Sequence, residues 1–340
     1  MAEHSTHPSG ERSAWPRAIA VPLALVLVAS VVVLALVWPA RTAEPRDVPI
    51  AIVGPEQAVM GVQSALAEHG DGAFRADQMP DRDAALAAIR NRESYGAILL
   101  GERPEVLTAS AASSAIATAL AGMAPTLQAQ AQQAAQAQAD AAGVEAPEVE
   151  VTVTDVVPLA DTDPRGAALA LASLPLLIVG LLGGIVIGLL SASMGRRLLG
   201  VAIYAVGAGL LLPAILGPWL GIVHGDYLTN MGAFTLILAA ISATLAGLIA
   251  VLGPRGAGLG VVLLVVIANP ISSAAMPVEF LPGPWGEVGQ WFPPGAAATL
   301  VRSLSYFPEA AIGGPVAVLA GWLAVGLVLV TAGSVRHRAG

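Results

Sequence analysis

The sequence predicts a polytopic α-helical membrane protein, with six transmembrane helices and an extracytoplasmic α/β domain inserted between the first and second. Three observations point there. The 340-residue chain is 56% hydrophobic and only 12% charged, with a mean hydropathy of +0.73, more apolar surface than a soluble core can hide. Uncharged runs of about twenty residues recur, the length a bilayer asks of a spanning helix. Most of the charge sits in one long segment, 39–166.

The six runs are 18–38, 167–190, 198–223, 229–252, 259–276 and 310–333. The fifth is short and contains Asn269-Pro270, so it ends early, re-enters, or is completed by neighbouring protein. The first ends at Trp38 and is longer than the apolar run of a signal peptide, so it is expected to stay as an anchor. Arg12, Arg17, Arg196, Arg197, Arg255, Arg336 and Arg338 fall on one side of the spans, and Arg302 alone lies in the short loops opposite. The positive-inside rule then makes 1–17 and 334–340 cytoplasmic tails and places 39–166 outside. Trp15, Trp38, Trp219, Trp285 and Trp291 sit near span ends as interfacial anchors, whereas Trp322 lies mid-span and needs a partner on another helix.

Within 39–166 the pattern is that of a soluble domain. Strands are expected at 48–53, 74–77 and 96–100, with helices at 56–68 and 81–92, a β-α-β-α-β order that favours parallel pairing. A short strand at 106–108 precedes an Ala/Gln-rich helix over 110–142, which Pro125 should kink or divide. Its stripe Ile116, Leu120, Met123 and Leu127 packs on the sheet or on a second copy, the former preferred. A last strand is expected at 148–157.

The composition also excludes chemistry. There is no cysteine, so no disulfide, zinc-thiolate site or cysteine nucleophile. There is no lysine either, which removes the Walker A loop and Schiff-base catalysis. The histidines are dispersed, and Asp77, Asp81 and Asp83 lack the glycine and distal glutamate of a calcium loop. No enzyme activity, metal, cofactor or nucleic-acid partner is expected. Spans almost free of ionisable groups argue against an ion relay and for an apolar or amphiphilic cargo.

From Ala268 the chain reads ANPISSAAMPVEFLPGPWGEVGQWFPPGAAATLVRSLSYFPEA, an outer loop (277–309) dense in Pro, Gly and aromatics. Its prolines should preclude regular helix over much of it, leaving a short helix at 295–305. Arg302 in that helix stays solvated or takes Glu279 or Glu309 as counterion. One span, a large external α/β segment and five more spans, followed by Asn-Pro-x-Ser, Pro-x-x-x-Leu-Pro, Pro-Pro-Gly and Leu-x-x-x-x-Tyr-Phe, resemble the type-two ABC exporter permeases. The similarity is to their YhgE/Pip-like and actinobacterial membrane-protein branch. It implies a bacterial plasma-membrane subunit, a homo- or heterodimer working with a separate ATPase to move a lipid, peptide or other amphiphile outward. It also implies that Asn269, Pro270, Ser272, Pro277, Leu281, Pro282, Trp285, Pro293, Pro294, Gly295, Arg302, Tyr306 and Phe307 form an outer re-entrant element at the exit of the path. Arg196 and Arg197 are either contacts for the ATPase or topology signals only. The alternative is a non-transporting receptor or cell-envelope scaffold, which the short cytoplasmic loops favour.

Overall fold

The computed structural model describes residues 14–69, 72–101, 103–191 and 193–339. The tail bearing His4, His7 and Arg12 lies outside the described residues, as do the side chains of Trp15, Arg17, Arg336 and Arg338. The chain is mostly helical and divides into a sheet layer and a helical layer.

The sheet has five strands, β1 (Val48–Val53), β2 (Phe74–Gln78), β3 (Gly96–Leu99), β4 (Glu105–Thr108) and β5 (Thr152–Asp155), in the order β2-β1-β3-β4-β5. β1 runs parallel to both neighbours because α2 (Glu56–His69) and α3 (Arg82–Arg90) serve as crossovers. Asp81 starts α3 by accepting the amide of Ala84 at 2.8 Å. β4 returns antiparallel to β3, and β5 joins parallel to β4 after α4 (Ser114–Ala142).

Alternation along the strands builds two cores. Ile50, Ile98 and Val106 face Ile116, Leu120 and Ala124 of α4, so the α4 stripe packs on its own sheet. Ala51, Ala97, Leu99 and Leu107 face Ala85 and Ile89 of α3, and with them Phe307 and Ala310 from the far end of the chain. Pro125 sits inside one continuous α4 instead of dividing it, since the buried stripe holds both flanks against the sheet. The strand expected over 148–157 shrinks to Thr152–Asp155. The preceding residues bond instead to Gln132 of α4, whose Oε1 accepts the amide of Val149 at 2.8 Å and whose Nε2 donates to the carbonyl of Pro147 at 3.2 Å.

Four helices are long and apolar enough to cross a membrane: α5 (Ala167–Leu190), α6 (Met194–Ala214) with its π-helical continuation Ile215–Trp219, α7 (Tyr227–Leu252), and Gly313–Val335 of α11 (Gly313–Ala339). Two further apolar stretches are shorter, Val26–Thr42 of α1 (Ala14–Thr42) and Arg255–Ala268. The latter is α8 (Arg255–Val261) continued as a π-helix, Val262–Ala268. The fifth run, expected to reach residue 276, therefore stops at Asn269-Pro270, where proline cannot extend the backbone ladder.

α7 is the central helix: Phe234, Ile237, Leu238, Ile241 and Leu245 are buried between α5, α6 and α11. Close approach is set by glycine. A Cβ on Gly247 would lie 2.6 Å from the carbonyl oxygen of Gly326, and one on Gly326 2.5 Å from the backbone of Ala243, so α7 and α11 meet backbone to backbone. Away from α7, the helices present large apolar side chains outward. Leu171, Leu190, Leu211, Ile203 and Val328 are among them, the distribution expected where lipid is the solvent.

The proline-rich segment is more helical than its sequence suggests. A 3-10 turn at Val278–Phe280 leads to α9 (Trp285–Gln290) and α10 (Pro293–Tyr306), and Pro293 and Pro294 open α10 where their missing amides cost nothing. Trp322 also departs from expectation. Its Nε1 donates to the carbonyl of Trp291 at 2.8 Å, in the α9–α10 turn and not on another span, with the Phe292 ring 5.8 Å away.

Two outcomes follow. Gly326→Leu forces α11 off α7 and lowers stability by about 2–4 kcal/mol, read as thermal unfolding in detergent, while Val328→Leu on the exposed side of α11 leaves it unchanged. In the sheet layer, Arg82 donates to both oxygens of Glu105 (2.8 and 3.1 Å), and Thr154 on β5 donates to the same carboxylate at 2.7 Å. The Arg82 hydrogen bond, chiefly, holds the Glu105 carboxyl below the usual range. Its contribution, at most about 1 kcal/mol for so exposed a partner, is full above the unfolded-state value near about 4.3 and disappears as pH falls through the lower folded value. Thermal unfolding of the wild type should therefore drop over that window by more than that of Arg82→Ala.

Candidate functional site

The sheet layer meets the helical layer along the segment 269–311, and charged side chains make the junction. Arg46 Nη1 and the Glu44 amide donate to the carbonyl of Phe280 at 2.9 and 3.2 Å. Arg90 approaches Glu309 at 3.8 Å. Between these contacts lies a cavity of about 320 Å3, walled by Asn91, Arg92 and Tyr95 of the α3–β3 turn, by the 273–279 stretch, and by Ala298, Thr299, Arg302 and Ser303 of α10.

Two guanidinium groups border it without a carboxylate partner among the described residues. Arg302 takes neither Glu279 nor Glu309, contrary to expectation. Its Nη1 donates to the carbonyls of Ala111 (3.0 Å) and Ala112 (3.4 Å), and its Nη2 to that of Ala274 (3.1 Å). Backbone dipoles thus replace the counterion, and the two acids are engaged elsewhere: Tyr95 donates its phenol to Glu279 at 2.8 Å, and Glu309 faces Arg90. Arg92 Nη1 donates to the Thr299 carbonyl at 3.2 Å and the Ser303 hydroxyl at 2.8 Å, and its guanidinium lies 5.5 Å from the centroid of the Phe307 ring.

Burial lowers the pKa of both arginines, and for Arg92 the nearby Arg302 lowers it further. Burial, and after it the Glu279 charge, raises that of the Tyr95 phenol, so Tyr95 stays a neutral donor.

The backbone is strained at this cavity. Only Asp47, Arg92 and Ser273 among the described non-glycine residues have positive φ, and two of the three line it: Arg92 at 62° and Ser273 at 55°. Left-handed backbone costs an L-residue about 1–2 kcal/mol. Arg92 occupies the position after the α3 cap, where glycine or asparagine is usual. The Ser273 hydroxyl is buried with no hydrogen-bond partner.

Below the cavity a narrow apolar crevice enters the helical layer between α5, α7 and α10, lined by Leu169, Ala172, Leu176, Phe234, Ile237, Ala297 and Val301. Ala298 and Arg302 belong to both walls and so stand between the crevice, of about 30 Å3, and the cavity.

The residues implied by the family resemblance come together only in part. Arg302 lines both spaces, Asn269, Ser272 and Pro294 the crevice, and Pro277 the cavity. Phe307 is buried in the sheet core. Tyr306 stacks on His224 at 5.4 Å with its hydroxyl unbonded. Pro270, Leu281, Pro282, Pro293 and Gly295 shape the backbone of the segment, while Trp285 is exposed on its surface. At the other end of the bundle, Arg196 and Arg197 lie in the first turn of α6. Arg197 is buried, and its Nη2 donates to the carbonyl of Gly188 at 3.2 Å, a contact between α6 and α5 that leaves Arg196 alone exposed.

Sequence reasoning did not single out Arg92, Tyr95, Ser273, Thr299 or Gln290. A charged side chain where a helix cap calls for glycine was the available signal for Arg92. No group of His, Asp or Glu able to hold a metal occurs among the described residues. The chain matches no family model, and no curated protein or solved structure shows significant similarity to it.

Arg302→Gln removes two charge-assisted bonds between α10 and the sheet layer, to Ala111 and Ala112, and a third to Ala274. It should weaken their docking by about 2 kcal/mol, seen as faster amide exchange across 109–117 while α7 stays protected.

Proposed function

We propose that the chain is the permease subunit of an exporter that moves an amphiphile outward across a bacterial plasma membrane with a separate ATPase subunit. The observation that supports it most directly is the polar cavity beneath the sheet layer with an apolar crevice of about 30 Å3 beside it, Arg302 standing between the two. A molecule with an apolar tail and a polar head matches that sequence of environments, whereas an inorganic ion does not.

In this arrangement α1 and the α8 stretch join the four long helices to give six membrane passes. α1 exposes Leu23, Leu27, Val33 and Leu34 at more than half of their surface, which needs lipid or a partner around them. The α8 stretch, two seven-residue pieces, reaches at most roughly 21 Å and so spans only with the help of 269–311, which packs back as a re-entrant element. Arg196, Arg197 and Arg255 lie at the end of the bundle away from the sheet, in keeping with a cytoplasmic placement of that end and an outer placement of the sheet. A subunit of this kind works as a dimer.

The short connections on that end favour the second function, a non-transporting receptor or envelope scaffold. α5 and α6 are separated by only Ser191 to Ser193, and α7 and α8 by Gly253-Pro254, leaving little surface for a motor to grip.

Purification of the full chain from native membranes in mild detergent separates the two. The permease should bring a nucleotide-binding subunit with it, and Ala172→Val, which closes the crevice of about 30 Å3 from its half-buried wall, should lower export by about tenfold while the melting temperature stays near that of the wild type. ATPase activity at background and an unchanged cargo distribution would leave the scaffold.

A further inference from the structure

The cavity between the α3–β3 turn and α10 holds more cationic capacity than the fold uses. After its bonds to Thr299 and Ser303, Arg92 keeps Nε and Nη2 without a protein partner, and after its three carbonyl bonds Arg302 keeps Nε. None of these atoms is among the buried unbonded groups, so none is sealed off, and both side chains line the cavity. The sole carboxylate lining the space, Glu279, is engaged by Tyr95. Ser273 lines the cavity in left-handed backbone, and its hydroxyl oxygen, closed off from the space itself, has no hydrogen-bond partner among the described residues.

A structural arginine explains none of this. For joining α3 to α10, an apolar residue or an arginine paired with Glu309 would serve, and the turn after α3 would be easier with glycine. Two like charges brought together at an open cavity, with strained backbone under one of them and unused donors on both, are arranged as a binding site is, where the missing partner is a ligand.

We propose that this cavity binds an oxyanion, the phosphate or carboxylate head of an amphiphile whose apolar part enters the crevice at Arg302. The tail assignment rests on the amphiphile-carrying function above; the oxyanion assignment does not. Guanidinium forks suit phosphate and carboxylate because parallel N–H donors match paired oxygens. The cavity, at about 320 Å3, admits a head group without its chains, and the apolar crevice on the far side of Arg302, at about 30 Å3, takes a chain only after it widens.

The test uses the full chain in a nonionic maltoside and titration calorimetry with three probes: dioctanoyl phosphatidic acid, dioctanoylglycerol and inorganic phosphate. Phosphatidic acid should bind at least about tenfold more tightly than either of the others. Arg92→Gln should cost it about tenfold and leave dioctanoylglycerol unaffected, and Arg92→Lys should restore part of the loss. Equal binding of phosphatidic acid and dioctanoylglycerol, or no effect of Arg92→Gln, overturns the site. Inorganic phosphate bound as tightly as phosphatidic acid overturns the amphiphile assignment in favour of a soluble anion. Binding is read without an ATPase, so a chain that takes phosphatidic acid but recruits no motor overturns the permease function and leaves this site standing.

Discussion

Much of the architecture depends on how two partly buried arginines are neutralised where the sheet meets the helices. A guanidinium withdrawn from water without a partner is costly, and neither Arg92 nor Arg302 has a carboxylate. Arg302 is stabilised by carbonyls from two distant parts of the chain, Ala111–Ala112 after β4 and Ala274 after the π-helix. The Ala111 and Ala112 carbonyls are available only when the sheet layer is docked. Folding of the sheet against the helices and satisfaction of Arg302 are therefore one event, and Phe307 and Ala310 complete the sheet's second core in the same step. The same scarcity of counterions leaves donors unused at the cavity.

The helical layer obeys a different constraint. With lipid outside, apolar burial does not draw helices together, so contact relies on close backbone approach and on hydroxyls satisfied within their own helix. Gly247, Gly326 and Gly333 bring α11 against α7, while Ser242 and Thr244 on α7 donate to the carbonyls four residues back at 2.6 and 2.7 Å. α7 packs closely on α5, α6 and α11, where a Cβ on Gly184 of α5 would lie 2.7 Å from the Ser242 carbonyl oxygen, and more loosely on α10, where the crevice remains.

Local rules made the sheet legible: the strands at 48–53 and 96–100, the parallel crossovers and the Asp81 cap follow from alternation and capping alone. The long apolar helices were legible for the same reason, since length and lack of charge suffice. What sequence alone missed was decided by partners far along the chain. Gln132 removes 147–149 from the last strand, Trp291 accepts the Trp322 indole, and the α4 stripe keeps the helix continuous across Pro125. The site was half legible. Arg302 stood out as the lone arginine among the short loops opposite, whereas Arg92 belongs to an ordinary-looking helix end and becomes notable only once α10 is seen 207 and 211 positions later against its guanidinium.

α10 is the element that links these layers. Its Ala297 and Val301 line the crevice, its Thr299, Arg302 and Ser303 line the cavity, and at its end Phe307 sits in the sheet core beneath Arg92. A rigid helix with those three attachments cannot shift in the bundle without moving the cavity wall and the sheet together. The opposite end of the bundle offers no comparable lever, because Arg197 is occupied with Gly188 and the connecting turns are short. Any displacement of α10 relative to α5 and α7, between which the crevice lies, is therefore felt at the cavity wall and in the sheet core at once.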